Sequence, residues 1–143
     1  MNSTFNNLVI FTALKSANFD ANYIINANET ITFDETETNI GNGMDPSTGI
    51  FTVLVSGTYS FSFSGSYILP DAGSQNVLLR VYQTDVSETI QTIDLYGYGA
   101  VEDLHLSVSY TWTMSLDQSD EMYLKLPNNS FMGSDRFYGQ LLN

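Results

Sequence analysis

The chain has 143 residues, a length typical of one domain with one hydrophobic core, and we expect a single domain over residues 1–143. It carries 16 acidic and 4 basic residues, a formal net charge of −12 at pH 7. Phosphate backbones and anionic membrane surfaces would repel such a chain, so we expect neither nucleic acid binding nor membrane insertion. Cationic groups or Ca²⁺ are the favoured partners, although an acidic surface that only maintains solubility would give the same charge.

The chain contains no cysteine, which excludes disulfides, thiolate nucleophiles and cysteine-ligated zinc. No apolar run approaches the roughly 20 residues that a membrane-spanning helix needs. The first residues lack the basic start and apolar core of a secretory leader, so secretion would require that a leader has already been removed.

Apolar and polar residues alternate with period two in short segments that are separated by Gly, Asn, Asp, Ser and Pro. Helical periodicity is hard to find. Ten strands without a convincing helix predict an all-β, antiparallel, ten-stranded sandwich of the jelly-roll kind. The predicted strands are Leu8–Leu14, Tyr23–Ile25, Thr30–Phe33, Ile50–Val55, Thr58–Ile68, Val77–Gln83, Thr89–Leu95, Leu104–Met114, Glu121–Leu126 and Arg136–Leu142.

The clearest alternation lies in the predicted strand Thr58–Ile68. Three aromatic residues on one face alternate with three serines on the other, namely Tyr59, Phe61 and Phe63 against Ser60, Ser62 and Ser64. The aromatic face must point into the core. The serine face either meets water or packs closely against a second sheet or a neighbouring subunit.

The segment Asn39–Gly49, directly before these strands, is rich in turn-forming residues. Its glycines suit positive φ, Asp45 and Ser47 suit side-chain turns, and Pro46 fixes a turn corner. We expect one long connection that reverses the chain and brings Ile50 into the sheet.

Several residues, in their order and spacing, resemble the globular C1q domain over nearly the whole chain. The segment Ser119–Leu126, "SDEMYLKL", resembles that family's G-D-x-V-W-L-x-L strand, with Tyr123 at the tryptophan position, and Phe137–Leu142, "FYGQLL", resembles its closing F-x-G-x-L-L. Earlier landmarks are Phe11, Ala13, Leu14, Ser16, Phe33, Asp34, Asn39, Gly41, Asp45, Thr48, Gly49, Phe51, Gly57, Tyr59 and Phe61.

The resemblance implies a jelly roll related to tumour necrosis factor that assembles as a homotrimer or heterotrimer. Members are mostly secreted and bind ligands instead of catalysing reactions. The chain contains no Gly-X-Y collagen repeat, so it does not itself encode the bundling that collagen stalks provide.

Some domains of this kind hold Ca²⁺ near the trimer axis, and the resemblance places Asp94 and Glu102 there, with Asp103 as a neighbour. Carboxylates suit Ca²⁺, and three copies at an axis could supply its six to eight oxygen ligands. The alternative is that all three are solvated loop acids. We expect ligand contacts from the loop around "LPNNSFMGSDRF", with Asn129, Phe131 and Asp135 as candidates.

No motif supports an enzyme. The chain has one histidine, His105, no G-x-S-x-G elbow and no glycine-rich phosphate loop. Asn-x-Ser/Thr sequons at Asn2, Asn28 and Asn128 give slight support to secretion. We therefore expect a secreted homotrimeric recognition module for carbohydrate, microbial-surface or protein ligands, with Ca²⁺ as a candidate cofactor. The alternative is a structural or signalling trimer that binds a protein receptor.

Overall fold

The protein folds into two antiparallel β-sheets. The structure is a computed structural model, and it describes residues 8–15, 24–25, 28–69, 77–85, 89–96, 104–125 and 130–142. These residues form eleven strands and no helix. The strands are β1 (Ile10–Lys15), β2 (Ile24–Ile25), β3 (Glu35–Ile40), β4 (Met44–Asp45), β5 (Ile50–Thr52), β6 (Gly57–Leu69), β7 (Val77–Thr84), β8 (Thr89–Tyr96), β9 (Leu104–Leu116), β10 (Glu121–Lys125) and β11 (Ser130–Leu141).

The strand order joins the two ends of the described chain. One sheet has the order β3-β1-β11-β6-β9, with β2 also beside β11, and the other has the order β4-β5-β10-β7-β8. All neighbouring strands run antiparallel, and the first strand β1 pairs with the last strand β11. The predicted all-β jelly-roll sandwich is confirmed.

Near the start of the chain, one predicted strand is absent and one observed strand was not predicted. The segment Thr30–Phe33 is not a strand: Thr30 forms an isolated bridge to Lys125, and the Phe33 amide donates to the Pro46 carbonyl at 2.7 Å. The next strand, β3, was not predicted, and only its last two residues, Asn39 and Ile40, lie in the predicted connection Asn39–Gly49. Its sequence ETETNI carries few apolar residues because β3 is an edge strand, so period-two patterning gave little signal.

The last strand begins earlier than predicted. β11 starts at Ser130, not at Arg136, with a register shift between Met132 and Asp135. Phe131 and Asp135 are therefore strand residues, and the prediction that they lie in a loop was wrong. The first half of β11 was not predicted because it contains polar residues and Gly133, and because bulged strands lose strict alternation.

The turn residues before β5 act through specific hydrogen bonds. The Asn39 side chain donates to the Met44 carbonyl (2.8 Å) and accepts from the Met44 amide (3.3 Å), which closes the turn between β3 and β4. The Asp45 carboxylate accepts from the Ser47 amide (3.0 Å) and hydroxyl (2.7 Å). Gly49 has a φ of 74°, and a Cβ there would collide with the Ile31 carbonyl oxygen. The predicted chain reversal before Ile50 is confirmed, although it contains β4.

Aromatic side chains fill the space between the sheets. The Phe11 ring on the six-stranded sheet lies 5.0 Å from the Phe51 ring on the other sheet and 5.1 Å from the Phe137 ring. Phe61 is fully buried and lies 6.1 Å from Phe51. The Tyr59 ring is also buried, and its hydroxyl donates to the Val55 carbonyl at 2.5 Å. The predicted aromatic core face of the central strand is confirmed.

Gly139 makes this packing possible. It lies on β11 between Phe11 on β1 and Phe61 on β6, its register partners. A Cβ at Gly139 would collide with the Phe11 ring and would lie 2.9 Å from the Phe61 ring. Because both rings are held by neighbours in a close-packed core, neither can move aside without disturbing other contacts.

We expect the substitution Gly139→Ala to destabilise the domain by about 1–3 kcal/mol, the usual cost of overpacking a core. Urea unfolding followed by tryptophan fluorescence measures the change. Ser134→Ala, at an exposed position on the same strand, is the matched control and should shift the midpoint little. Equal midpoints for Gly139→Ala and the parent would contradict this account of the core.

Candidate functional site

The outer face of the six-stranded sheet carries a ladder of side-chain hydroxyls, here called the hydroxyl face. It consists of four register pairs between β6 and β9: Thr58 with Ser115, Ser60 with Thr113, Ser62 with Thr111, and Ser64 with Ser109. The Ser62 and Thr111 hydroxyl oxygens lie 3.2 Å apart, and those of Thr58 and Ser115 lie 3.5 Å apart. These eight residues are exposed or partly exposed and none carries a charge.

The position of the hydroxyl face excludes one of the surroundings that the serine alternation allowed. The aromatic partners Phe61 and Phe63 point between the sheets, so the serines point away from the second sheet. Packing against the second sheet of the same chain is therefore excluded. Water and a neighbouring subunit remain as the two possible surroundings.

The hydroxyl face continues across β11 onto β1. Tyr138 lies beside Ser62 in the register and beside Thr12 on its other side, and its hydroxyl donates to the Gln140 side chain at 2.7 Å. The Arg136 guanidinium lies 3.3 Å from the Glu37 carboxylate, where both side chains are about half exposed. The surface between these strands is thus polar, with small side chains at its centre.

The outer face of the five-stranded sheet has a different character. The Tyr82 and Tyr123 rings, on β7 and β10, are register partners and stack in parallel with centroids 5.3 Å apart and an interplanar angle of 3°. The Lys125 Nζ lies 5.0 Å from the Tyr82 centroid and 5.6 Å from the Tyr123 centroid. These residues, together with Arg80 opposite Lys125 in the register, form the tyrosine–lysine cluster.

A buried carboxyl group lies at one end of the sandwich interior. Asp135 on β11 has Lys15 on β1 and Gly65 on β6 as register partners, and its side chain is only 4% exposed. Neither carboxyl oxygen has a hydrogen-bond partner among the described residues. The Lys15 ammonium donates instead to the Thr32 hydroxyl at 3.2 Å. Burial therefore raises the pKa of Asp135 to about 8, against the opposing effect of the Lys15 charge.

Asp120 shows what a partnered buried carboxylate looks like in the same fold. Its side chain is 5% exposed, but it accepts hydrogen bonds from the Gln83 amide at 3.0 Å and from the Asp117 backbone amide at 2.9 Å. These bonds hold the turn between β9 and β10. Asp135 is buried to a similar extent (4% exposed) but has no such donors among the described residues.

Residues 10–141 match the C1q domain. The chain belongs to the C1q domain family. It is 31% identical over 113 residues to complement C1q tumor necrosis factor-related protein 3 of Mus musculus, a match that covers 79% of this chain and 43% of the relative. The chain thus spans less than half the length of the curated relatives that it matches.

Solved structures show the same fold. The globular domain of zebrafish complement 1qA protein superposes with a TM-score of 0.69 at 20% identity, over 94% of this chain and 98% of that one. The Eiger TNF structure from S. frugiperda has a TM-score of 0.64 at 12% identity, over 95% and 93% of the two chains. The resemblance to the C1q family and the TNF-like jelly roll is therefore confirmed.

The structure of this C1q domain describes only some of the predicted site residues. Asp94 lies in β8, where its backbone pairs with Arg80 on β7. Phe131 pairs through its backbone with Ile24 and Ile68, at the start of β11. Glu102, Asp103 and Asn129 lie outside the described residues. The roles predicted for Asp94, Glu102 and Asp103 in metal binding, and for Asn129, Phe131 and Asp135 in ligand binding, stay predictions.

Sequence reasoning missed the tyrosine–lysine cluster of this C1q domain. Alternation in "VLLRVYQT" and "EMYLK" places Arg80 and Tyr82 on one face of β7, and Tyr123 and Lys125 on one face of β10. Alternation does not show that β7 and β10 are neighbours, since Tyr123 lies 41 positions after Tyr82 in the sequence. Only the strand register reveals that the four residues meet.

No helix in the part of the chain that the structure describes is long and apolar enough to span a membrane.

Asp135 gives a pH-dependent prediction. Between about pH 4 and 8 the folded protein keeps a proton on Asp135 that the unfolded chain has released, so this group lowers stability as the pH rises through that window. We expect Asp135→Asn, which cannot ionise, to raise the melting temperature, with the smallest gain near pH 4 and the largest at pH 8. At pH 8 the free energy of unfolding should rise by at least about 2 kcal/mol.

Thermal unfolding in buffers from pH 4 to pH 8.5 measures this difference. Asp117→Asn removes the same charge from an exposed position and is the control, for which we expect no comparable trend. A gain for Asp135→Asn that stays constant across the pH range would show that Asp135 has the same pKa in the folded and unfolded protein, and would contradict the raised pKa.

Proposed function

We propose that this C1q domain is a secreted, non-enzymatic, homotrimeric recognition module that binds carbohydrate, microbial-surface or protein ligands. Family membership supports the non-enzymatic, ligand-binding part of the proposal. The observation that carries the assembly is the hydroxyl face. It is an uncharged surface of small side chains on β6 and the edge strand β9 of one sheet, and another subunit can approach it closely.

The hydroxyl face differs from the rest of a strongly acidic molecule. Sixteen acidic residues would make most contacts between identical copies repulsive, because like charges would meet. Eight neighbouring positions without charge provide a surface where copies can meet without this cost. The hydroxyls can also exchange hydrogen bonds with a facing backbone or side chain, so that no buried donor is left unsatisfied.

Light scattering at micromolar concentration tests the assembly. We expect a particle of about 48 kDa, three times the 15.9 kDa chain mass. Ser62→Arg places a long charged side chain at the centre of the hydroxyl face and should yield monomers. Thr52→Arg, at a partly exposed position on the other sheet, adds the same charge and should leave the trimer intact. A parent protein that is monomeric would refute the proposal.

Ca²⁺ assistance is part of the proposal and rests on the family resemblance of Asp94, Glu102 and Asp103. Oxygen ligands from several chains would suit this ion. The register position of Asp94 beside Arg80 places a cationic residue near one of the three candidates. Glu102 and Asp103 would therefore have to supply most of the ligands.

Calorimetric titration of chelator-treated protein with Ca²⁺ tests this part. We expect measurable heat and a raised melting temperature, both abolished by Glu102→Gln combined with Asp103→Asn. A glycan array that is probed with and without Ca²⁺ then shows whether the ion assists ligand binding. No heat and no thermal shift would remove Ca²⁺ from the proposal and leave the trimeric module standing.

A structural or signalling trimer that binds a protein receptor is the second candidate. The name of the mouse relative, a tumor necrosis factor-related protein, and the TNF-like fold favour it. The two candidates share the trimer and differ in the ligand, so binding to receptor ectodomains in place of glycans would select the second.

A further inference from the structure

We propose that the tyrosine–lysine cluster binds acidic saccharides, with the acid group on Lys125 and the sugar against Tyr82 and Tyr123. This inference rests on the proposed function as a ligand-binding module and names a ligand class and a surface for it. The surface is the outer face of the five-stranded sheet, on the side of the sandwich opposite the hydroxyl face.

The first step is the accessibility of the cluster. Val81, Met122 and Leu124 alternate with the cluster residues and are buried in the core, so the cluster side chains point outward. All four of them are partly exposed. A pair of parallel, partly exposed aromatic rings offers a sugar ring apolar contact, and the Tyr82 hydroxyl offers a hydrogen bond.

The second step is the charge. The chain has only four basic residues, and two of them, Lys125 and Arg80, lie directly opposite each other on neighbouring strands. Like charges at such positions repel each other. Arg80 also has Asp94 as its register partner on β8, and Glu121 lies on the same face of β10 as Lys125, so Lys125 is the basic residue of this surface that we assign to the anion. Most of the remaining surface of a chain with a net charge of −12 would repel the same anion.

The third step concerns the hydrogen-bond donors of Lys125. The Lys125 ammonium lies over both tyrosine rings and donates no hydrogen bond to the described residues, so its N–H groups are available to a ligand. Arg80 has an interaction of its own and lies beside Asp94 in the register, so the acid group is assigned to Lys125 and not to Arg80. A carboxylate or sulfate on Lys125 would form a charge-assisted hydrogen bond while the rings keep the lysine stem in place.

The position of the cluster favours a sugar over an acidic peptide. β7 and β10 are interior strands of the five-stranded sheet, so their backbone groups are already paired with neighbouring strands. An extended peptide gains much of its affinity by adding a strand at a sheet edge, which these strands do not offer. A sugar needs only a flat side-chain surface.

NMR titration of ¹⁵N-labelled protein tests the proposal, because it measures binding at a single site whether the protein is trimeric or not. The probes are glucuronic acid, glucose 6-sulfate and glucose, so that the carboxylate and the sulfate arms share one neutral control. We expect amide shifts at residues 82, 123 and 125 with both acidic sugars, and at least about tenfold weaker binding of glucose.

Two variants of equal charge change separate the site from the general field. Lys125→Met keeps the apolar stem over the rings and removes the ammonium, and we expect at least about tenfold weaker binding of the acidic sugars. Arg136→Gln removes one positive charge on the opposite sheet and should leave binding unchanged. Equal weakening by both variants, or equal binding of glucose and glucuronic acid, would overturn the proposal.

A glutamate-rich tetrapeptide is the last probe. Tighter binding of this peptide than of the acidic sugars at residues 82, 123 and 125 would assign the surface to acidic proteins and overturn the saccharide proposal. Light scattering on the same samples keeps the two proposals apart. A trimer without sugar binding refutes this site alone, and a monomer that binds acidic sugars refutes the assembly alone.

Discussion

The contact of the Phe11 ring with the backbone of Gly139 is the constraint on which the rest of the structure depends. Because Gly139 has no side chain, the rings of Phe11 and Phe61 approach each other across β11 and extend to Phe51 on the second sheet. This cluster fixes which face of each central strand is buried. Alternation then turns the other face outward, so the hydroxyl face and the tyrosine–lysine cluster are both consequences of how the core packs.

The sequence predicted those parts of the fold in which pattern and burial coincide. β6 alternates strictly because one of its faces is core and the other is open, and its prediction was correct to within one residue at each end. β3 was missed because an edge strand with the sequence ETETNI has little to bury. A local sequence pattern does not predict strand register. Register alone brings Lys125 beside Arg80 and Asp135 beside Lys15, so neither pair could be predicted from the sequence.

The four basic residues show how an acidic chain uses few positive charges. Lys15 lies beside the buried Asp135, and Arg136 pairs with Glu37 on the outer face of the six-stranded sheet. Arg80 and Lys125 share one surface of the other sheet. The exposed pair of Arg136 with Glu37 contributes little to stability, as is usual for solvent-screened pairs. The position of Arg80 and Lys125 on one face is less expected, because basic residues that each formed a separate ion pair would be spread over the surface.

The two outer faces suit different roles because they lie on opposite sides of one sandwich. A subunit contact through the hydroxyl face would leave the tyrosine–lysine cluster of each chain open to solvent. Three such clusters in one trimer would act together on a ligand that repeats its acid groups, and weak binding at each would then add up through effective concentration. The net charge of each chain limits which ligands can bind, because it repels dense polyanions. Spaced acidic groups on a saccharide surface therefore fit the molecule better than a continuous polyanion.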